Sequence, residues 1–395
     1  MASRLTLSRA LAFAAALLAA VVAGCGGGVD SGGTGAPATS FASGPITGFG
    51  SVIVNAVHYD DAAATVRDGN GALRSRNDLR LGMTIDVRGS AIGTDAGGNA
   101  ASTASSIVFA SAIVGPVAVN DVAGRTLVVL GQPVDIGAST VFAESLVGGQ
   151  AAIGVGSIVE VYARLDVATG RYTATRVDVR AAGTPFLLRG VVAALDTVTR
   201  TFSFGALRIS YAGIAAVPST LANGRFFRVS LAAAPGAGGV WPATALVDGA
   251  PPIEDHEEAK LEGRVSAFTS ATSFSVDGRP VDARNARVEG AGLALGARVE
   301  VEGTISAGVL VATRVKVEDE AGDDDEEFEV QGAIVSIDRT AKTFVVREVT
   351  VSYEGSVEFR GGTAADLAVG RGVEVKGRLS SDGTRVAAER IEFKD

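Results

Sequence analysis

The chain has one cysteine, two histidines and one tryptophan in 395 residues. A single thiol excludes an intrachain disulfide framework and any zinc or iron–sulfur site built on clustered cysteines. The histidines, His58 and His256, lie in unrelated segments, and an isolated histidine lacks the orienting partner that acid–base work needs. Aromatic residues make up 6% of the chain, few for a stacking surface that tracks a nucleic-acid strand. There is no phosphate-binding loop, serine nucleophile elbow or zinc-protease helix motif. Gly48/Gly50 and Gly154/Gly156 begin a dinucleotide fingerprint but lack its third glycine. No cofactor is expected.

What is present is small and apolar. Hydrophobic residues reach 47% and glycine numbers 51, enough apolar material for a globular fold and too much for wholesale disorder. The net charge is −9, and nine acidic residues fall within Glu318–Glu329; the other 35 balance the 35 basic ones. Such a run reads as a solvated, self-repelling spacer. The alternative is weak calcium binding at Asp323, Asp324, Asp325 and Glu326, since calcium takes several carboxylate oxygens, although EF-hand spacing is missing.

At the N-terminus, Arg4 and Arg9 precede an apolar stretch, Ala10 to Val22, too short to span a bilayer and of signal-peptide form. It ends in Val22-Ala23-Gly24-Cys25, which resembles a bacterial lipobox with the sole cysteine at its last position. That resemblance implies cleavage before Cys25 and its acylation, several acyl chains giving a stable membrane anchor. Gly26 and Gly27 include no aspartate of the inner-membrane retention type, which in a Gram-negative host implies the outer membrane.

The strongest signal is an internal repeat. An apolar-x-x-Gly-x-x-apolar-x-apolar motif recurs at Leu79/Gly82/Ile85/Val87, Ile153/Gly156/Val159/Val161, Leu221/Gly224/Phe227/Val229, Leu293/Gly296/Val299/Val301 and Leu367/Gly370/Val373/Val375. The glycines are spaced by 74, 68, 72 and 74 residues. About twenty residues after each comes Ala-x-x-apolar, at Ala104, Ala174, Ala243, Ala312 and Ala388. Two linked motifs in fixed order imply tandem modules. The register gives a signal peptide (1–24), a flexible tether (25–43), and β modules at 44–110, 111–182, 183–250, 258–318 and 327–395. A Pro/acidic linker lies at 251–257 and an acidic one at 319–326.

Within a module the hydrophobic period is two, as in Val299-Glu300-Val301-Glu302, and Asp277-Gly278 marks a hairpin. The order strand, strand, strand, short turn, strand, strand predicts an all-β protein: five tandem small OB-like β-barrel modules of about 70 residues. A β-sandwich is the alternative. Gly44-Pro45-Ile46-Thr47-Gly48-Phe49-Gly50, Leu81-Gly82-Met83 and, in the second module, Gly131-Gln132-Pro133-Val134 resemble the bacterial domain-of-unknown-function family numbered 5666. The resemblance holds for modules one, two, four and five and is weak in the third. It implies a tandem-repeat envelope lipoprotein and carries no activity with it. Ala56 stands where that family usually has glycine after Asn55, so the turn there is expected to differ.

Barrels of this type bind oligosaccharides or single strands across one face. The candidate ligand group is Phe226, Arg228 and Trp241 in module three, Phe226 pointing away from the core position Phe227. Three readings follow: a non-catalytic, lipid-anchored envelope scaffold or binding array; an oligosaccharide-binding protein with its site at module three; and a hydrolase using carboxylates alone. The first is the expectation, with partners that include the membrane and an envelope polysaccharide or protein but no nucleic acid, because the basic residues are dispersed. A pocket with two facing carboxylates would favour the third reading, and an exposed Phe226/Trp241 platform the second.

Overall fold

The computed structural model describes residues 39–318 and 326–394, and these form strands joined by turns and short 3-10 segments. The expected all-β class is observed. The segment 328–394 shows the plan. Phe328–Asp338 divides between two antiparallel partners, its first half pairing with Gly372–Leu379 and its second with Thr343–Val346. Thr343–Val346 pairs with Val349–Ser352, which lies parallel to the last strand, Val386–Lys394. That strand pairs back onto Gly372–Leu379 and closes the ring. A sheet closed in this way has no free edge of its own, and the order is that of an OB-like barrel.

The same pairings recur around the other copies of the motif. They are complete in Ile113–Arg180 and His256–Glu318. Thr39–Phe109 follows the same order with its first strand broken after Pro45. Phe186–Asp248, where the sequence resemblance is weak, also keeps it.

Both motifs have a structural reason. All five motif glycines have left-handed backbone, with φ from 77° to 87°, a region that costs a side chain about 1–2 kcal/mol. Each donates its N–H to the first strand of its copy at 2.8 Å, to the carbonyls of Ile46, Val117, Val192, Val265 and Ile334. Each motif alanine sits where the last hairpin shifts register, opposite Gly89, Ala163, Leu231, Gly303 and Gly377. A bulge there bends the hairpin enough to close a narrow barrel, and a small residue fits inside the bend.

The hairpin at Asp277-Gly278 forms as expected, with both residues at positive φ. Asn55-Ala56 makes the same kind of turn, at φ 51° and 58°. The turn therefore does not differ for want of glycine; Ala56 takes the strained backbone.

The copies also pair with one another, and not only with their neighbours in sequence. Ser40–Ser43 runs parallel to Glu258–Leu261, and Gly48–Phe49 runs parallel to Glu329–Val330. The first copy therefore bridges the fourth and the fifth, while Ile113–Val114 and Leu187–Leu188 join the second to the third. Ile46, Phe49 and Tyr59 of the first copy share one buried cluster with Val330, Phe344 and Val375 of the fifth. Residues of the second and third copies share another, and Phe41 of the first enters the core of the fourth. A 70-residue barrel buries too little surface to be robust alone, and sharing cores supplies more.

Two boundaries move. Thr39–Pro45 is already a strand, so residues 39–43 belong to the first barrel and not to the tether. His256 opens a 15-residue strand, so the Pro-rich junction ends at Asp255. Cys25 and the expected signal peptide, residues 1–24, lie outside the described residues.

Candidate functional site

The outward face of Phe226–Leu231 does not carry the expected stacking platform. Phe226 points away from Phe227, as the register requires, yet it is only 3% exposed. Its outer surface is covered by the fourth copy, where a Cβ on Gly278 would lie 2.8 Å from the Phe226 ring. Arg189 stacks over the same ring at 4.5 Å. Arg228, two residues along and therefore on the same face, donates to Oδ1 of Asn70 in the first copy at 3.0 Å. Burial lowers its pKa. Trp241 is half-buried at the far end of the copy, beside Phe186 at 6.0 Å. Trp241 is set apart from the other two, and those two are interface groups.

Asp323, Asp324 and Asp325 lie outside the described residues, and Glu326 already has an interaction of its own. Among the described residues no three histidine, cysteine, aspartate or glutamate side chains gather as a metal would require. His58 is half-buried and His256 is buried. Nδ1 of His256 lies 3.0 Å from Oγ1 of Thr39, and burial lowers the ring's pKa.

A large concavity lies between copies, with Arg228 in its lining. A cleft of about 650 Å³ is walled by the first, second and third copies, and a hollow of about 260 Å³ by the first, second and fifth. Arg80, Ala143, Arg176 and Asp178 belong to both walls, so the two adjoin, and together they are called the groove below. Arg176, Asp178 and Arg180 alternate along Arg171–Arg180 and so project from one face. Arg176 forks onto Asp178 at 2.9 and 2.7 Å and also donates to the Leu81 carbonyl of the first copy at 3.0 Å. Arg180 bonds Glu160 through Nε at 2.7 Å. On the opposite wall Arg74 donates twice to Oδ2 of Asp68, at 2.8 and 2.6 Å. Burial alone would raise the Asp68 carboxyl, but Arg74 and the N–H groups of Asn70 and Ala72 hold it below its ordinary value.

Glu160 and Asp178 are direct cross-strand partners, so the groove does hold a carboxylate pair. They stand side by side on one wall, each bonded to its own arginine. Cross-strand neighbours have Cβ atoms about 4.5–5.5 Å apart on one sheet face. Hydrolysis of a glycosidic bond needs carboxyls flanking that bond, which this same-wall pair does not provide; Asp68, on the opposite wall, is bonded to Arg74. No motif in the sequence marked the groove, because its walls come from strands of four copies.

Three segments match the model of a family described as Domain of unknown function (DUF5666): residues 114–178, 262–316 and 331–392. These are the second, fourth and fifth copies; the first, where the sequence resemblance also looked good, lies outside the matched residues. No curated protein matches the chain.

Proposed function

Proceeding from a chain that carries this family in tandem, we propose that the protein is a lipid-anchored, non-catalytic component of the cell envelope. Five OB-like barrels, one for each motif copy, act as a scaffold or binding array. The observation that supports this reading is the use made of the outer barrel faces. Where an enzyme of this build would need free acids and bases, the charged side chains between copies bond to one another. Arg164 meets Glu262, Arg279 meets Asp86, and Arg347 meets Asp61. Cys25, the only cysteine, supplies the anchor, and the glycines after it favour the outer membrane.

The test is fractionation of cells expressing the full chain or Cys25→Ser. The expected outcome is that the natural chain sediments with membranes and the variant appears in the soluble envelope fraction. A variant that stays membrane-bound would remove the lipid anchor from the reading.

A further inference from the structure

We infer that the groove between copies is a binding site for a neutral oligosaccharide. The inference deepens the binding-array reading and rests on it. It moves the carbohydrate site from Phe226 and Trp241 to the walls shared by several copies.

Charge balance narrows the ligand class. Six arginines and six carboxylates line the combined groove, and no lysine or histidine does. A polyanion gains no net attraction from such walls, and neither does a polycation. An acyl chain would require walls without this density of charge. A sugar hydroxyl both donates and accepts, so it can be satisfied at every step along walls of alternating sign.

The polar groups are fixed in place and only partly used. A guanidinium has five N–H donors. Arg176 spends three of them inside the protein, and Arg180 and Arg74 spend two each. Glu160 takes both bonds from Arg180 on Oε2, which leaves Oε1 to accept from a ligand. Planar groups held by their own ion pairs need little reordering to grip vicinal hydroxyls, so little of the binding energy is lost to ordering.

An apolar surface accompanies them. Phe186 lines the cleft, half-buried, with Trp241 behind it at 6.0 Å, and Pro185 and Val179 are exposed beside it. A pyranose presents an apolar C–H face that covers such a ring, as aromatic sites commonly use. The second hollow adjoins at Arg80 and Arg176 and reaches Thr350 and Thr384 of the fifth copy, which offers further subsites to a chain of several sugar units.

The test is calorimetry on the mature full chain carrying Cys25→Ser, titrated with maltohexaose, cellohexaose and chitohexaose. Hexagalacturonate and oligothymidylate serve as charged comparators. The expected result is binding of at least one neutral hexasaccharide, tighter than its disaccharide and insensitive to salt. Arg180→Gln and Phe186→Ala should each weaken it about tenfold. Arg180 is 42% exposed in its side chain, so that variant keeps its fold even if the Phe186 one does not. Three results would overturn the site: no heat with any neutral hexasaccharide at about 1 mM, binding that survives both substitutions in folded protein, or preference for a charged comparator with a steep salt slope. Membrane release by Cys25→Ser is read separately, so loss of the groove site leaves the anchor reading standing.

Discussion

Arg164 of the second copy donates through Nη2 to Oε1 of Glu262 in the fourth at 2.6 Å, and Arg298 donates to the same oxygen at 2.8 Å. Arg164 is only 4% exposed, so this contact joins two barrels through charges removed from water. Such a pair adds little relative to a well-packed apolar contact, but losing one partner is costly. Glu262→Ala is expected to lower the stability of the described unit by about 3–5 kcal/mol, read by urea denaturation. A loss below about 1 kcal/mol would mean that water reaches the pair in solution.

The same contact predicts an acid-dependent stability. Burial alone would raise the Glu262 carboxyl, yet Arg164 and Arg298 hold its pKa below the ordinary value. A depressed folded pKa gives stability that is fully present above the unfolded pKa, about 4.3, and is lost as pH falls through the folded value. The gap in melting temperature between the natural chain and Glu262→Gln should be constant from pH 7 to about 5 and shrink below pH 4.3. A gap unchanged at pH 3 would contradict the assignment.

Backbone strain in the first hairpin offers a gain. Ala56 holds φ at 58° beside Asn55 at 51°. Left-handed backbone costs an L-residue about 1–2 kcal/mol, part of which glycine gives back through its larger unfolded entropy. Ala56→Gly should stabilise the protein by about 0.5–1 kcal/mol. The reverse change at the matching turn, Gly278→Ala, should destabilise it by more than the strain, because the new Cβ would lie 2.7 Å from that of Ala250. Thermal melts of the two variants should therefore move in opposite directions.

The two repeated signatures can be separated in the same way. At Gly370, φ is 86° and the space around a new Cβ is open, so Gly370→Ala should cost only the strain, about 1–2 kcal/mol. Gly303 lies at the bulge opposite Ala312, and a Cβ there would lie 2.1 Å from the Val311 carbonyl oxygen. Backbone must move to admit it. Gly303→Ala should cost more than Gly370→Ala, beyond about 2 kcal/mol, and equal losses in denaturant titrations would argue against the bulge as the closing device.

The barrel was legible because its needs recur: a left-handed glycine bonded to the first strand and an alanine at the bulge, once per copy. Relations between copies left no such trace. Apart from Phe41, Ser40–Ser43 is composed like the tether before it, yet it pairs with Glu258–Leu261 more than two hundred residues away. Alternation placed Phe226 outside its own barrel, but only the fold brings Gly278 over it. The groove was hidden for the same reason. Arg74 and Arg180 belong to different copies, and only the fold sets the Asp68 and Glu160 ion pairs around one cleft.

Those interfaces also bear on the binding of single-stranded nucleic acid. Binding a strand of several nucleotides needs a run of accessible aromatics beside a groove of unopposed basic residues. Phe226 is covered by the fourth copy and Arg228 is bonded to Asn70, so two of the three residues that could have begun such a surface are withdrawn from solvent. In the groove, arginines are matched by carboxylates, which cancels the phosphate attraction that drives sequence-independent binding. The expected outcome is no change in fluorescence anisotropy of a labelled oligothymidylate at micromolar protein and moderate salt. Micromolar affinity with a steep salt slope would contradict it. Loss of that affinity in Arg74→Ala rather than Trp241→Ala would place the contact in the groove.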